Sequence, residues 1–243
     1  MTRTTHSSTV GLLYPGIGAD DDFSALESRL KPTLRLPLVV TEGGDVAHTP
    51  EALRAVGAAK NLADGVAKLL VSEPDSVMWT CTSGSFVFGW RGAHDQAREV
   101  AHSADRPASS TSIAFAEAAR SMNFSRVAIA ASYPVELASY FRRFLADAGV
   151  EVVGMTSNEI ANAGLVGRLN RDQIVAMAVA ADRPNADAVL IPDTAMHSLD
   201  WITDLESALG KPVLTANQVT VWEGLRIAGR LMPIDGLGTL FAE

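Results

Sequence analysis

The chain reads as an α/β fold of two pseudo-symmetric, Rossmann-like halves, each a parallel sheet flanked by helices, with a cleft between them. Three observations predict this. Short apolar runs rich in β-branched residues alternate with helix-length amphipathic segments, the pattern of parallel strands covered by helices. The second half echoes the first, strand by strand and in the same order. And 243 residues that are 47% hydrophobic and 20% charged can bury a large core.

Taken in order, residues 10–14 and 36–40 read as strands. Residues 50 to about 70 read as one long helix, with Thr49 as N-cap and Pro50 in the first turn. A strand over 76–80 runs into the polar loop Cys81-Thr-Ser-Gly-Ser85, ahead of a further helix. The second half begins with a strand at 126–131 and a helix at 135–148. It continues with a strand near 151–155, a helix near 172–181 and a strand at 188–191. A helix at 199–209, capped by Ser198, a strand at 213–215 and a helix at 219–230 complete the series.

Three segment pairs carry the repeat. Residues 10–15 match 127–134, both ending in Tyr-Pro; residues 75–82 match 187–194; residues 107–112 match 212–217. The expected division is 1–117 plus 219–243 for one half and 118–218 for the other. Ligands of open parallel sheets sit beyond the carboxyl ends of the strands. Cys81 and Asp193 are therefore expected as symmetry mates on opposite walls of the cleft.

Composition narrows the chemistry. A net charge of −8 disfavours nucleic-acid binding, which needs a basic surface. No run of ~18 apolar residues offers a membrane span, and the polar start MTRTTHSST is no signal peptide. The single cysteine excludes an intrachain disulfide, which suits the cytoplasm. His6, His48, His94, His102 and His197 are scattered without metal-ligand spacing, and no phosphate-binding glycine motif is present. Side chains alone, without metal or cofactor, are expected to supply the chemistry. A homo-oligomer is left open.

A lone cysteine is usually a small buried hydrophobe. Cys81, however, sits in a hydroxyl-rich turn at a strand end, where backbone N–H groups can lower a thiol pKa and hold an anion. Asp193 can be an acid or base, a charge acting on Cys81, or a helix cap. Tyr14 and Tyr133 end paired strands; Tyr133 can aim its hydroxyl at a carboxylate or pack locally. Asn217 faces the cleft or caps the last helix. Trp90, Trp222, Phe86 and Phe88 read as core, and His197 as surface.

Those features together resemble the aspartate/glutamate racemase superfamily. The residues concerned are the two-fold repeat, the Cys81-Thr-Ser83 loop and Thr215-Ala-Asn-Gln-x-x-x-Trp222, within a span from Gly11-Leu-Leu-Tyr-Pro15 to Gly236-Leu-Gly-Thr-Leu-Phe241. The nearest branches are maleate cis–trans isomerase and arylmalonate decarboxylase. The resemblance implies two facing cysteines, one from each half; Cys81 matches the first, while the second falls on Asp193, followed by the matching Thr194. It implies that Thr82, Ser83 and Tyr133 surround a substrate carboxylate and that Pro15 lies in the loop closing the site. A one-thiol site disfavours symmetric racemisation, although an asymmetric Cys/Asp pair stays open. In the decarboxylase branch the working thiol belongs to the second half; in the isomerases the first-half cysteine attacks the double bond. The resemblance thus implies a small carboxylate or dicarboxylate substrate, with maleate-type isomerisation ahead of malonate decarboxylation. A non-catalytic carboxylate-binding protein is the outside alternative.

Overall fold

The computed structural model describes residues 7–41 and 47–242. Its first half runs β1 (Ser8–Tyr14), α1 (Asp20–Leu30), β2 (Leu34–Arg35), β3 (Leu38–Val40), α2 (Pro50–Val56), α3 (Ala59–Leu69), β4 (Ser76–Trp79), α4 (Ser83–Phe86), α5 (Gly89–Ala104), β5 (Ala108–Ser110) and α6 (Thr111–Ser121). The second runs β6 (Arg126–Ala131), α7 (Val135–Asp147), β7 (Glu151–Ser157), α8 (Ala163–Val166), α9 (Arg171–Ala181), β8 (Ala188–Ile191), α10 (Ile202–Leu209), β9 (Val213–Thr215) and α11 (Ala216–Ile227).

Among the described residues, all pairs of named strands are parallel. One sheet is ordered β2-β1-β4-β5, with β3 also on β1, and the other β7-β6-β8-β9. With β2 and β3, which both pair with β1, counted as one strand, both orders are second, first, third, fourth, so the fold is the doubled one the sequence predicts. Local devices repeat as well. Asp75 accepts a hydrogen bond from the Thr9 N–H beside β4, and Asp187 accepts one from the Arg126 N–H beside β8. Ser110 caps α6 through the Ile113 N–H; Thr215 caps α11 through the Gln218 N–H. In each sheet the order reverses between the first and third strands, the switch point where such folds bind ligands. Tyr14 ends the first strand of one half, and Cys81 follows its third.

The last helix crosses back. α11 packs on β1, β4, β5 and α6, and the Ser76 hydroxyl donates to the Gly224 carbonyl within it. The halves also meet through aromatic rings: Phe86 packs against Tyr133 and Phe141, Phe115 against Phe141, and Trp90 against Phe144. Phe141, fully buried, is the hub of this cluster. Phe141→Ala is expected to cost about 3–5 kcal/mol, read as a fall in the urea midpoint with an unchanged slope.

Two features depart from expectation. The helix predicted over 50–70 is two helices, broken at Gly57, which caps α2. A Cβ at Gly57 would stand 2.4 Å from the Gly84 carbonyl oxygen, and Gln96 donates to both the Gly57 and Gly84 carbonyls. The break thus seats α2 against the segment that follows Cys81. Helix α1 was not anticipated, because only Phe23 and Leu26 are buried along it and two residues make no legible stripe. Among the described residues, no helix is long and apolar enough to cross a membrane.

Candidate active site

Strand β4 ends at Trp79 and β8 at Ile191, so Cys81 and Asp193 each lie two residues beyond the third strand of their half. Both are buried, 4% and 5% exposed. The two lie close enough for the Asp193 charge to act on the thiol. The Gly84 N–H donates to Cys81 Sγ at 3.2 Å, and the Ser83 hydroxyl lies 3.9 Å from it. Both favour the thiolate, as the loop chemistry predicts. Burial nevertheless wins: it pushes the thiol up to about 12, with Asp193 adding to the rise. The closed site therefore holds a protonated thiol, and a working Cys81 needs a base.

Around Asp193 the partners are specific. Oδ1 accepts from the Ala195 N–H at 3.0 Å, and Oδ2 accepts from the Ser132 hydroxyl. His48 Nε2 stands 4.0 Å from Oδ2, and both residues are buried. The two tyrosines tie down the loop that carries Asp193. Tyr133 donates to the Pro192 carbonyl. Tyr14 donates to the Thr194 carbonyl and accepts from the Ala19 N–H, each at 3.0 Å. Burial raises both phenols, with Asp193 and Cys81 adding to the effect; the Ser83 and Thr82 hydroxyls oppose it at Tyr133. Cys81, Thr82, Ser83, Tyr133 and Asp193 thus share one compact polar centre. Within it Thr82 Oγ1 is buried and, apart from its contact with the Tyr133 hydroxyl, has no partner, so a ligand group can complete it. Just outside, a cavity of about 470 Å³ is lined by Ile17, Gly18, Asn162, Leu165, Gly167 and Arg168.

Residues 51–241 match the arylmalonate decarboxylase (Amdase) family. The chain belongs to that family. It is 28% identical to an arylmalonate decarboxylase of Bordetella bronchiseptica over 242 residues, 97% of each chain. It is 25% identical to a maleate isomerase of Nocardia farcinica, covering 96% of this chain and 95% of that one. The solved structure of a cysteine-to-serine mutant of the Nocardia farcinica maleate cis–trans isomerase, with a covalently bound succinylcysteine intermediate, superposes with a TM-score of 0.87. It is 24% identical, covers 97% of this chain and 98% of that one, and shows the shared fold.

In this arylmalonate decarboxylase family member, the other expected residues fall as follows. Pro15 is buried directly after Tyr14. Thr194 is buried, and its carbonyl is held by Tyr14. The Asn217 amide turns to Asp22 at 3.0 Å and the Met196 carbonyl at 3.3 Å, leaving Oδ1 buried and unpartnered. The cap of α11 is Thr215 rather than Asn217. Asp22 also receives the Ser198 and Leu199 N–H groups, the role expected of Ser198. Phe86 and Trp222 are core, whereas Phe88 is 38% exposed. Sequence reasoning missed His48 and Ser132. Ser132 had a signal, since it precedes Tyr133 in the repeated Tyr-Pro segment; His48 had none. Among the described residues, no group of three His, Cys, Asp or Glu side chains could hold a metal ion.

Tyr14→Phe tests the tie on the Asp193 loop. It strands a buried N–H and a buried carbonyl at once, so a loss of about 1–3 kcal/mol is expected. Thermal unfolding in parallel with the wild type measures it.

Proposed function

We propose that this chain is a cofactor-independent enzyme acting on a small carboxylate or dicarboxylate at Cys81, and that its leading reaction is maleate cis–trans isomerisation. The observation that carries this reading is the asymmetric pair: the chain's one thiol and the Asp193 carboxylate, both buried at matching positions of the two halves, with the Asp193 charge acting on the thiol. Cys81 Sγ bonds to one alkene carbon as the π bond breaks, and the neighbouring carbon takes up a proton. The new single bond rotates. Elimination then reverses both steps and releases the trans isomer. Thr82 and Ser83 bind one carboxylate, joined by Tyr133 once its hydroxyl turns from the Pro192 carbonyl; Thr194, Pro15 and Asn217 shape the opposite side, Asn217 through Asp22. Asp193 takes and returns the proton. The succinylcysteine of the Nocardia farcinica enzyme, in a protein short of one cysteine, supports a one-thiol adduct of this kind. The halves are taken as 1–117 with 219–243 and 118–218, in keeping with the packing of α11 on the first sheet.

Decarboxylation of a substituted malonate is the second reading, favoured by the matched family and the Bordetella bronchiseptica relative. There Cys81 protonates the carbanion left by carbon dioxide, which requires only one donor. Proton NMR of the protein with maleate decides first: fumarate signals support isomerisation, and their absence removes it. Carbon dioxide release from phenylmalonate tests the second reading. Thermal stabilisation by small carboxylates without turnover favours a binding protein.

A further inference from the structure

His48 belongs to the first half yet is anchored on the second. Its backbone N–H donates to the Ala161 carbonyl at 2.8 Å, and its neighbour Ala47 bridges Asn162 in antiparallel fashion. Ring Nδ1 lies 2.8 Å from the Ile160 carbonyl oxygen. A carbonyl only accepts, so Nδ1 must carry a hydrogen. That commits the tautomer and leaves Nε2 as the ring atom that can gain or lose a proton. Nε2 faces Asp193 Oδ2 at 4.0 Å, and the ring stands edge-on to Tyr133, centroids 5.0 Å apart. Of the site side chains described above, His48 alone can become a cation.

We propose that His48 is the positioning residue for Asp193, an imidazolium whose Nε2 faces Oδ2 and keeps the carboxylate aimed while Asp193 carries the proton from Cys81 to the substrate carbon. The proposal rests on the thiol-addition reading. As the S–C bond forms and the π bond breaks, the thiol proton passes to Asp193 and from Asp193 to the neighbouring carbon. Elimination runs the same transfers backwards, and no oxidant or reductant enters. The imidazolium also offsets the Asp193 charge, so a doubly anionic substrate does not meet an unopposed negative wall.

The titratable groups packed against His48 are Asp193 and Tyr133, and Cys81 and Tyr14 lie within reach of the Asp193 charge. Burial keeps both phenols and the thiol protonated at neutral pH. A limb of the kcat/KM profile below the range of these groups therefore belongs to the His48–Asp193 pair.

His48→Asn is the test, because the asparagine amide can still donate to the Ile160 carbonyl but has no titrating nitrogen. A near-native Tm is expected, with kcat down roughly 100-fold or more, KM little changed and that limb gone. The double variant with Asp193→Asn should be no slower than Asp193→Asn alone, as for residues acting as one unit. Alkylation of Cys81 by iodoacetamide needs no substrate and reads the chain's one thiol. It should slow by roughly tenfold in His48→Asn, where Asp193 is left unopposed, and not in the double variant. Should His48→Asn unfold, His48→Gln takes its place under the same criteria. A folded variant with the pH limb intact, or with alkylation equal to wild type, overturns the proposal. If maleate is not turned over but the alkylation pattern appears, the substrate reading fails and the His48–Asp193 coupling stands.

Discussion

Cys81→Ala should abolish turnover, by at least ~10³-fold in kcat, while leaving the fold intact. The side chain lost is small, and the void costs on the order of 1 kcal/mol, so circular dichroism and Tm should stay near wild type. Undiminished activity in a folded variant would sink the assignment of the site. A second consequence follows from burial. The ordinary thiol value is near 9.0, and the buried thiol is pushed up to about 12. The unfolded chain therefore ionises first, and the stability contributed by the neutral buried thiol is complete below pH 9. As pH climbs from there toward 12, wild type loses about 1.4 kcal/mol per pH unit from this group. Cys81→Ala has no such term. The urea midpoints of the two proteins should hold a constant offset from pH 7 to 8.5 and converge, or cross, by pH 10. The buried phenols of Tyr14 and Tyr133 destabilise both proteins in alkali chiefly through burial, and only the part that Cys81 adds fails to cancel in the comparison.

How much of this site the sequence discloses depends on whether a residue's role is local or borrowed. Strands β8 and β9 are short, continuous apolar runs whose bounds read directly from the chain. The Asp75/Asp187 and Ser110/Thr215 pairs lie in register because the repeat preserves each as a local hydrogen-bonding device. That register makes Asp193 the counterpart of Cys81 in the repeat. Asn217 is different: its position was legible, but its partner Asp22 sits on α1, a helix with too little apolar pattern to predict. The direction of the Tyr133 hydroxyl, toward the Pro192 carbonyl, is set by the packing of one loop on another. His48 is the extreme case. It stands in a polar loop with no motif, and a bridge to a segment more than a hundred residues away brings it to Asp193. The loop chemistry around Cys81 was read correctly in kind, yet the sign of the thiol's shift was not, because desolvation depends on closure of both halves over the site.

Asp193→Asn separates a proton-transfer role from a capping role more sharply than the sequence could. Asparagine is isosteric, and its carbonyl oxygen can keep the Ala195 N–H, now 3.0 Å from Oδ1. Its amide can donate to Ser132, whose hydroxyl reverses from donor to acceptor. The loop is therefore expected to hold, with a stability change under about 1 kcal/mol. Only the charge and the proton-accepting oxygen are removed. If Asp193 receives the Cys81 proton, kcat should fall by about 10²–10⁴-fold. The thiol should move the other way: the Asp193 charge helps to raise it, so iodoacetamide should alkylate Cys81 faster in the variant at a fixed pH near 8. A slower enzyme with a more reactive nucleophile is what a lost base produces and what a damaged loop does not. Activity within twofold of wild type, with an unchanged alkylation rate, would reduce Asp193 to a cap on the 193–196 turn and leave Cys81 to find its base elsewhere.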